Sequence, residues 1–153
     1  MKKLNKTLGL SLLAVAAGAL SSCGGSRAHG EIYYWSCFGG AYTSVLEGIA
    51  VKVGEKVGTT VNHESHNSYD KIKTDVMYQI TGAGEYPNIV TGYPDHFAEY
   101  IGSNALVSLD KYLADYNKTN GTDLLNDYLP AYMEENYALA ADSKGNPLLY
   151  GLP

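Results

Sequence analysis

Between Glu31 and Ile101 the sequence alternates short apolar, β-branched runs with stretches of helical period, and this alternation restricts the architecture more than any other feature. Ile32 to Trp35 reads as a buried strand that ends in the small-residue loop Ser36-Cys37-Phe38-Gly39-Gly40. Apolar positions then recur at Tyr42, Val45, Leu46, Ile49, Ala50, Val53 and Val57, which is the spacing of one helix face. A helix is expected from about Ala41 to Val57, stopping near Gly58, with that face turned inward. Thr59 to Glu64 is short and β-branched and reads as a second strand. Ser68 is placed to cap a second helix that carries Tyr69, Ile72, Val76, Met77 and Ile80 inward and ends at Thr81-Gly82-Ala83-Gly84. Pro87 introduces a third strand, Asn88 to Thr91, followed by the loop Gly92-Tyr93-Pro94-Asp95 and a short helix from about His96 to Ile101.

Strands joined through helices make right-handed βαβ units, so the fold class is α/β, with a mostly parallel sheet and helices on both faces. In such folds ligand loops lie at the carboxyl ends of the strands. Here those ends are Trp35 to Gly40, Glu64 to Ser68 and Thr91 to Asp95, three separate stretches brought to one edge. Past Gly102 the sequence reads as an apolar stretch Leu106 to Leu109, a helix from about Asp110 to Tyr116 and a polar loop around Asn117 to Thr122. Helical turns through Leu124, Leu125, Tyr128 and Tyr132 come next. Tyr137 to Ala141 and Leu148 to Leu152 flank the turn-rich Asp142-Ser143-Lys144-Gly145-Asn146-Pro147, which predicts a hairpin. The sequence stops at Pro153 directly after an apolar run, where domains seldom end, so further chain is expected beyond it.

The amino terminus carries its own signal. Lys2, Lys3 and Lys6 precede a 13-residue apolar run, Leu8 to Leu20, long enough for the core of a secretory signal and short for a membrane span. It closes in Leu20-Ser21-Ser22-Cys23, similar to a bacterial lipobox, in which the cysteine is acylated and becomes the first residue of the mature chain. Acyl chains hold a polar domain at a membrane by burying methylenes. Residues 1–22 are thus read as a lipoprotein signal peptide and 23–30 as a flexible tether, Gly24, Gly25 and Ser26 supplying its slack. The alternative is an ordinary cleaved signal beside a stray cysteine. Removal of three lysines changes 11 basic against 16 acidic residues to 8 against 16, a net charge of about −8, which argues against a nucleic-acid partner. Cys23 and Cys37 are too few for a disulfide scaffold, and Cys37 is expected as an unpaired thiol. Fourteen tyrosines and one tryptophan exceed what so small a core needs and hint at stacking surfaces for a ligand.

Catalytic and metal motifs are weak. His63, Glu64, His66 and His96 invite a zinc reading, but H-E-S-H is one residue short of H-E-x-x-H, and residues three apart on a strand point to opposite faces. Cys37 paired with a histidine lacks an orienting third group. No G-x-x-x-x-G-K-S/T occurs, and no cofactor is implied.

Four landmarks within residues 31–153 are similar to those of the family 1 extracellular solute-binding proteins of ABC importers. They are the Trp35-Ser36 strand end with its glycine-rich loop, the helix start Asn67-Ser68-Tyr69-Asp70, Gly84-Glu85-Tyr86-Pro87-Asn88-Ile89-Val90, and Gly145-Asn146-Pro147-Leu148-Leu149-Tyr150-Gly151-Leu152-Pro153. The third resembles the family's G-x-x-P-D-I/V-V, with Asn88 in place of the aspartate, and the fourth its G-K-x-Y-G-L-P. The resemblance implies a periplasmic-binding-protein type II-like lobe, here the partial N-terminal one of two, with the second lobe absent. It also implies an exported, lipid-anchored receptor, not an enzyme, that delivers a solute, a carbohydrate first among the family's classes, to ABC permease subunits.

Sugar sites combine flat aromatic faces with carboxylate, amide and hydroxyl groups. Trp35, Phe38 and Tyr93 are the aromatic candidates, and Ser36, Glu64, Asn67, Ser68 and Asp95 the polar ones. Glu64 and Asp95 look like the carboxylate-bearing loops of the family's maltodextrin binders. Three have a plainer reading: Trp35 as core, Ser68 as the cap of the second helix, Asp95 as the cap of the helix near His96. A stand-alone surface lipoprotein, either a metal-binding module or an enzyme, is the competing function.

Overall fold

The computed structural model describes residues 30–82, 84–85 and 87–153; the expected signal peptide, Cys23 and all but the last residue of the tether lie outside them. Three strands, β1 (Ile32–Ser36), β2 (Val61–Ser65) and β3 (Ile89–Val90), form one sheet in the order β2-β1-β3. Both pairings are parallel, with Tyr34 opposite His63 and Ile89, and Trp35 opposite Glu64 and Val90. Helix α1 (Ala41–Val57) joins β1 to β2, and α2 (Tyr69–Thr81) joins β2 to β3. The sheet order reverses direction after β2, so right-handed crossovers place α1 and α2 on opposite faces. Helix α3 (Pro94–Ile101) follows β3 directly, Pro94 taking the first helical position where its missing N–H costs nothing. The α/β class and the parallel sheet expected from the sequence are present.

On the α2 side, Trp35, Cys37, Ile72, Val76, Phe97 and Tyr100 form a buried cluster, with Tyr69, Met77, Ile80, Val90, Leu106 and Leu139 packed around it. The other side differs from expectation. Helix α1 buries only Ala50 and Gly54, while Tyr42, Val45, Ile49, Val53 and Val57 of its predicted inward face are exposed. The cause is the close approach of the helix to the chain entering β2. A methyl group on Gly54 would sit 2.6 Å from the carbonyl oxygen of Thr59, so α1 touches the sheet at its small residues and holds the large ones away. Ile89, on the same sheet face, is also exposed.

The C-terminal third corrects two further expectations. Helix α4 spans Asp110–Asn120 and absorbs most of the predicted polar loop, ending at Gly121 in the left-handed conformation. A 3-10 turn, Leu124–Asp127, leads to α5 (Pro130–Tyr137). The predicted hairpin is reduced to its turn. Asp142 accepts from the amides of Lys144 and Asn146 and from the Asn146 side chain, and a single bridge joins Ala141 to Pro147, but no strands flank it. Tyr137 completes α5 instead, and the second arm is captured by the start of α4. The Leu109 amide donates to the Leu149 carbonyl (2.7 Å), and the Asp110 carboxylate takes the Leu149 amide (3.0 Å), fixing Leu149 as a wholly buried residue. Among the described residues no helix is long and apolar enough to cross a membrane.

Candidate functional site

The carboxyl ends of the three strands are stitched together by their own backbone. The His66 amide donates to the Ser36 carbonyl (2.8 Å), joining the end of β2 to β1. The Thr91 amide donates to the Trp35 carbonyl (3.0 Å), and the Cys37 amide to the Thr91 hydroxyl (3.1 Å), joining β3 to β1. The loop after β1 lies against the loop after β2 so closely that a Cβ on Gly39 would fall 2.3 Å from the Asn67 side-chain oxygen. Asn67 holds a φ of 62°, a left-handed conformation that asparagine tolerates better than most residues. The three expected loops therefore meet at one edge, with the reversal of strand order between β1 and β3 lying within it.

The individual candidates divide by depth. Trp35 is only 5% exposed and belongs to the core, with the His66 ring lying over it at 4.3 Å between centroids, so the indole offers no open face to a ligand. Ser36 is fully buried, and its hydroxyl is 2.7 Å from Nε2 of His63. Ser68 is the N-cap of α2, accepting from the Lys71 amide at 3.1 Å. Asp95 stands in the first turn of α3, exposed, its carboxylate accepting from the His96 amide; it does not precede the helix as a cap. Phe38, Glu64, Asn67 and Tyr93 are exposed. Phe38 packs loosely on Tyr42, at 6.0 Å.

Tyr93 stacks on Tyr69 with centroids 4.3 Å apart and planes 33° from parallel. A hydrogen bond with the Cys37 thiol, and then partial burial, push the Tyr69 phenol up to about 12, so it is neutral at physiological pH. The two rings form one wall of a cavity of about 380 Å³ at the end of β3, completed by Thr91, Tyr132, Glu135 and Asn136 among others. Tyr132 and Glu135 come from α5, and sequence reasoning did not single them out as a site. The only signal was their three-residue spacing, which puts both on one helix face. A second cavity, about 250 Å³, lies beside β3 among Val76, Ile80, Ile89, Phe97, Leu106 and their neighbours. Its lining holds no carboxylate, so hydroxyl-rich ligands would find few partners there.

Around His66 the polar groups are tightly organised. Its Nδ1 is 2.6 Å from Asp75, and Lys71 holds the same carboxylate at 2.7 Å. Partial burial pushes the Asp75 carboxyl up, but the hydrogen bonds from Lys71 and His66 outweigh it and keep the group below the usual carboxylate range. His63, Glu64, His66 and His96 do not converge: among the described residues no three histidine, cysteine or acidic side chains are arranged to hold a metal ion.

No family model matches the sequence, and no curated protein is similar to it by sequence. A solved structure is similar in fold: the ABC transporter associated binding protein from B. animalis subsp. lactis Bl-04 in complex with beta-1,6-galactobiose. The TM-score is 0.54 at 20% identity, over 81% of this chain and 25% of that one. The chain thus spans about a quarter of that protein's length, and the likeness establishes the fold, that of a fragment of a periplasmic-binding-protein-like structure.

Proposed function

We propose that the chain is the N-terminal part of an extracytoplasmic receptor, of the family 1 solute-binding type, that takes up a neutral carbohydrate for an ABC importer. One observation carries the reading. At the carboxyl edge of a parallel sheet, where the strand order reverses, partly buried Tyr69 and exposed Tyr93 form a stacked step that lines, with Glu135, a cavity of sugar size. Aromatic faces take the C–H side of a pyranose, and a carboxylate takes its hydroxyls. The fold likeness to a protein solved with a galactobiose supports the same reading, and no step of covalent chemistry is needed for it. In this reading a second lobe closes over the solute, and the closed form is what the permease recognises. The lipid on Cys23 keeps the receptor at the outer face of the cytoplasmic membrane.

Calorimetric titration of the full-length product, second lobe included, with neutral mono- to tetrasaccharides tests the proposal. The expected result is saturable binding of at least one glycan, weakened about tenfold in Tyr93→Ala. A screen in which no glycan binds, on protein shown to be folded by tryptophan fluorescence, removes the carbohydrate reading.

A further inference from the structure

The face of α1 that the sheet leaves uncovered has a definite composition. Tyr42, Val45, Ile49, Val53 and Val57 follow one another at three- or four-residue steps and make a single stripe along the helix, every one of them exposed. At about 100° per residue, Lys52 and Lys56 fall along one border of this stripe, whereas Glu47 and Glu55 fall on the far side of the helix. Both lysines are exposed, and among the described residues neither forms an ion pair. The stripe is thus apolar with a basic margin, on a chain whose net charge is negative. The place where the chain enters the fold lies at one end of the same helix. The Thr59 hydroxyl donates to the Gly30 carbonyl, and the Ile32 amide to the Thr60 carbonyl (2.9 Å), which pins the start of β1 beside the residues that follow α1. Residues 23–30 span at most about 28 Å when fully drawn out, and the 17 residues of α1 are about 26 Å long. The parallel strands run away from this end, so the Tyr69–Tyr93 step at their carboxyl edge lies at the opposite end of the sheet.

We infer that α1 lies on the bilayer that holds the lipid of Cys23, with its apolar stripe against the upper acyl chains and Lys52 and Lys56 among the headgroup phosphates. The inference rests on the lipid anchor of the proposed receptor and adds to it a second contact, which fixes how the domain sits on the membrane. Two features favour lipid over a layer of protein. Lys56 falls within the angular width of the stripe, and under a protein layer its ammonium would need a carboxylate partner. At a bilayer surface the lysine stem lies along apolar material while its head reaches phosphate. The tether, for its part, keeps α1 within about its own length of the anchored lipid, so the contact forms within one molecule and at a high effective concentration. A helix with an apolar stripe and a basic margin lies in the plane of the interface rather than across it. The cavity, at the far end of the sheet, is left uncovered by this contact.

The test uses the full-length product with acylated Cys23, in vesicles of phosphatidylethanolamine and phosphatidylglycerol. An environment-sensitive fluorophore is attached at Val53→Cys on α1 and, for comparison, at Tyr78→Cys on α2, both exposed sites, while Cys37 is buried. The expected result is a blue shift at position 53 and quenching by lipids brominated on their acyl chains, with neither at position 78. The position 53 label on the unacylated Cys23→Ser product, without vesicles, should emit as in water. Adding Ile49→Asp should abolish the shift and the quenching and leave the midpoint of urea unfolding unchanged, because Ile49 is exposed. A position 53 label that emits as in water on vesicles overturns the contact and leaves the receptor reading standing. A label already blue-shifted without vesicles, or a loss of stability in Ile49→Asp, shows the stripe covered by the chain's own remainder or by a second copy and overturns the contact as well. A native product without acyl chains on Cys23 overturns the anchor and the contact together, whereas saccharide titration decides the receptor reading separately.

Discussion

At the scale of single residues, Asp75 joins structure to site. It ties α2 to the end of β2 through His66 and to its own helix through Lys71. Asp75→Asn is therefore expected to destabilise the chain by about 1–2 kcal/mol at neutral pH in urea unfolding. The sign with pH follows from its lowered carboxyl. A carboxyl that titrates lower in the folded than in the unfolded chain contributes stability above the unfolded value, about 3.9, and loses it as pH falls through the folded one. The gap between wild type and variant should thus narrow toward about pH 3, and a gap that widens in acid would sink this account. Tyr93 presents the opposite case, for its ring is half exposed and its removal leaves no cavity in the core. Tyr93→Ala should leave the midpoint of unfolding nearly unchanged while weakening saccharide binding by about tenfold, as loss of an aromatic stacking partner does. The polar and aromatic types at the strand ends were legible in the sequence, but their depth was not. The nearest exposed residue, Phe38, lies two positions past Ser36 and three past Trp35, and only the packing of His66 and His63 against them decides that a ligand cannot reach them.

At the scale of elements, the succession from β1 to α3 follows from local signals: β-branched runs, one 3.6-residue period after another, and Ser68 at a helix start. The burial of α1 does not, because whether an apolar stripe is covered depends on residues far away in sequence. Gly54 sets how near that helix comes to the chain entering β2. Gly54→Ala should push α1 outward and cost about 1–3 kcal/mol of stability by thermal unfolding, even though alanine is the better helix former. A variant as stable as the wild type would show that the helix can shift without loss. The hairpin expected near the C-terminus failed for a similar reason. Its turn is local and forms, whereas the fate of its arms is decided by Asp110, 39 residues before Leu149. The role of α5 in the cavity was hidden in the same way, since Tyr132 and Glu135 come to line one cavity with Tyr93 only after the whole chain has packed.

At the scale of the molecule, a sheet of three strands with one helix face uncovered is a small part of a structure like the one it resembles, of which it spans 25%. Under the two-lobe proposal, the native product extracted from membranes should be a lipid-modified species several times heavier than the 16.5 kDa of this sequence. Immunoblotting with mass spectrometry decides it, and a species at the mass of residues 23–153 plus acyl chains would contradict the receptor. The order of the strands also sets a timetable. β1 is central, and its second neighbour, β3, lies 55 residues further along the chain where Tyr33 meets Asn88. A polypeptide synthesised from its N-terminus delivers Tyr33, Tyr34 and Trp35 long before the strand that completes their pairing. During that interval the most aromatic segment of the chain is paired on one side alone, through β2, and its other edge is open to pairing with copies of itself.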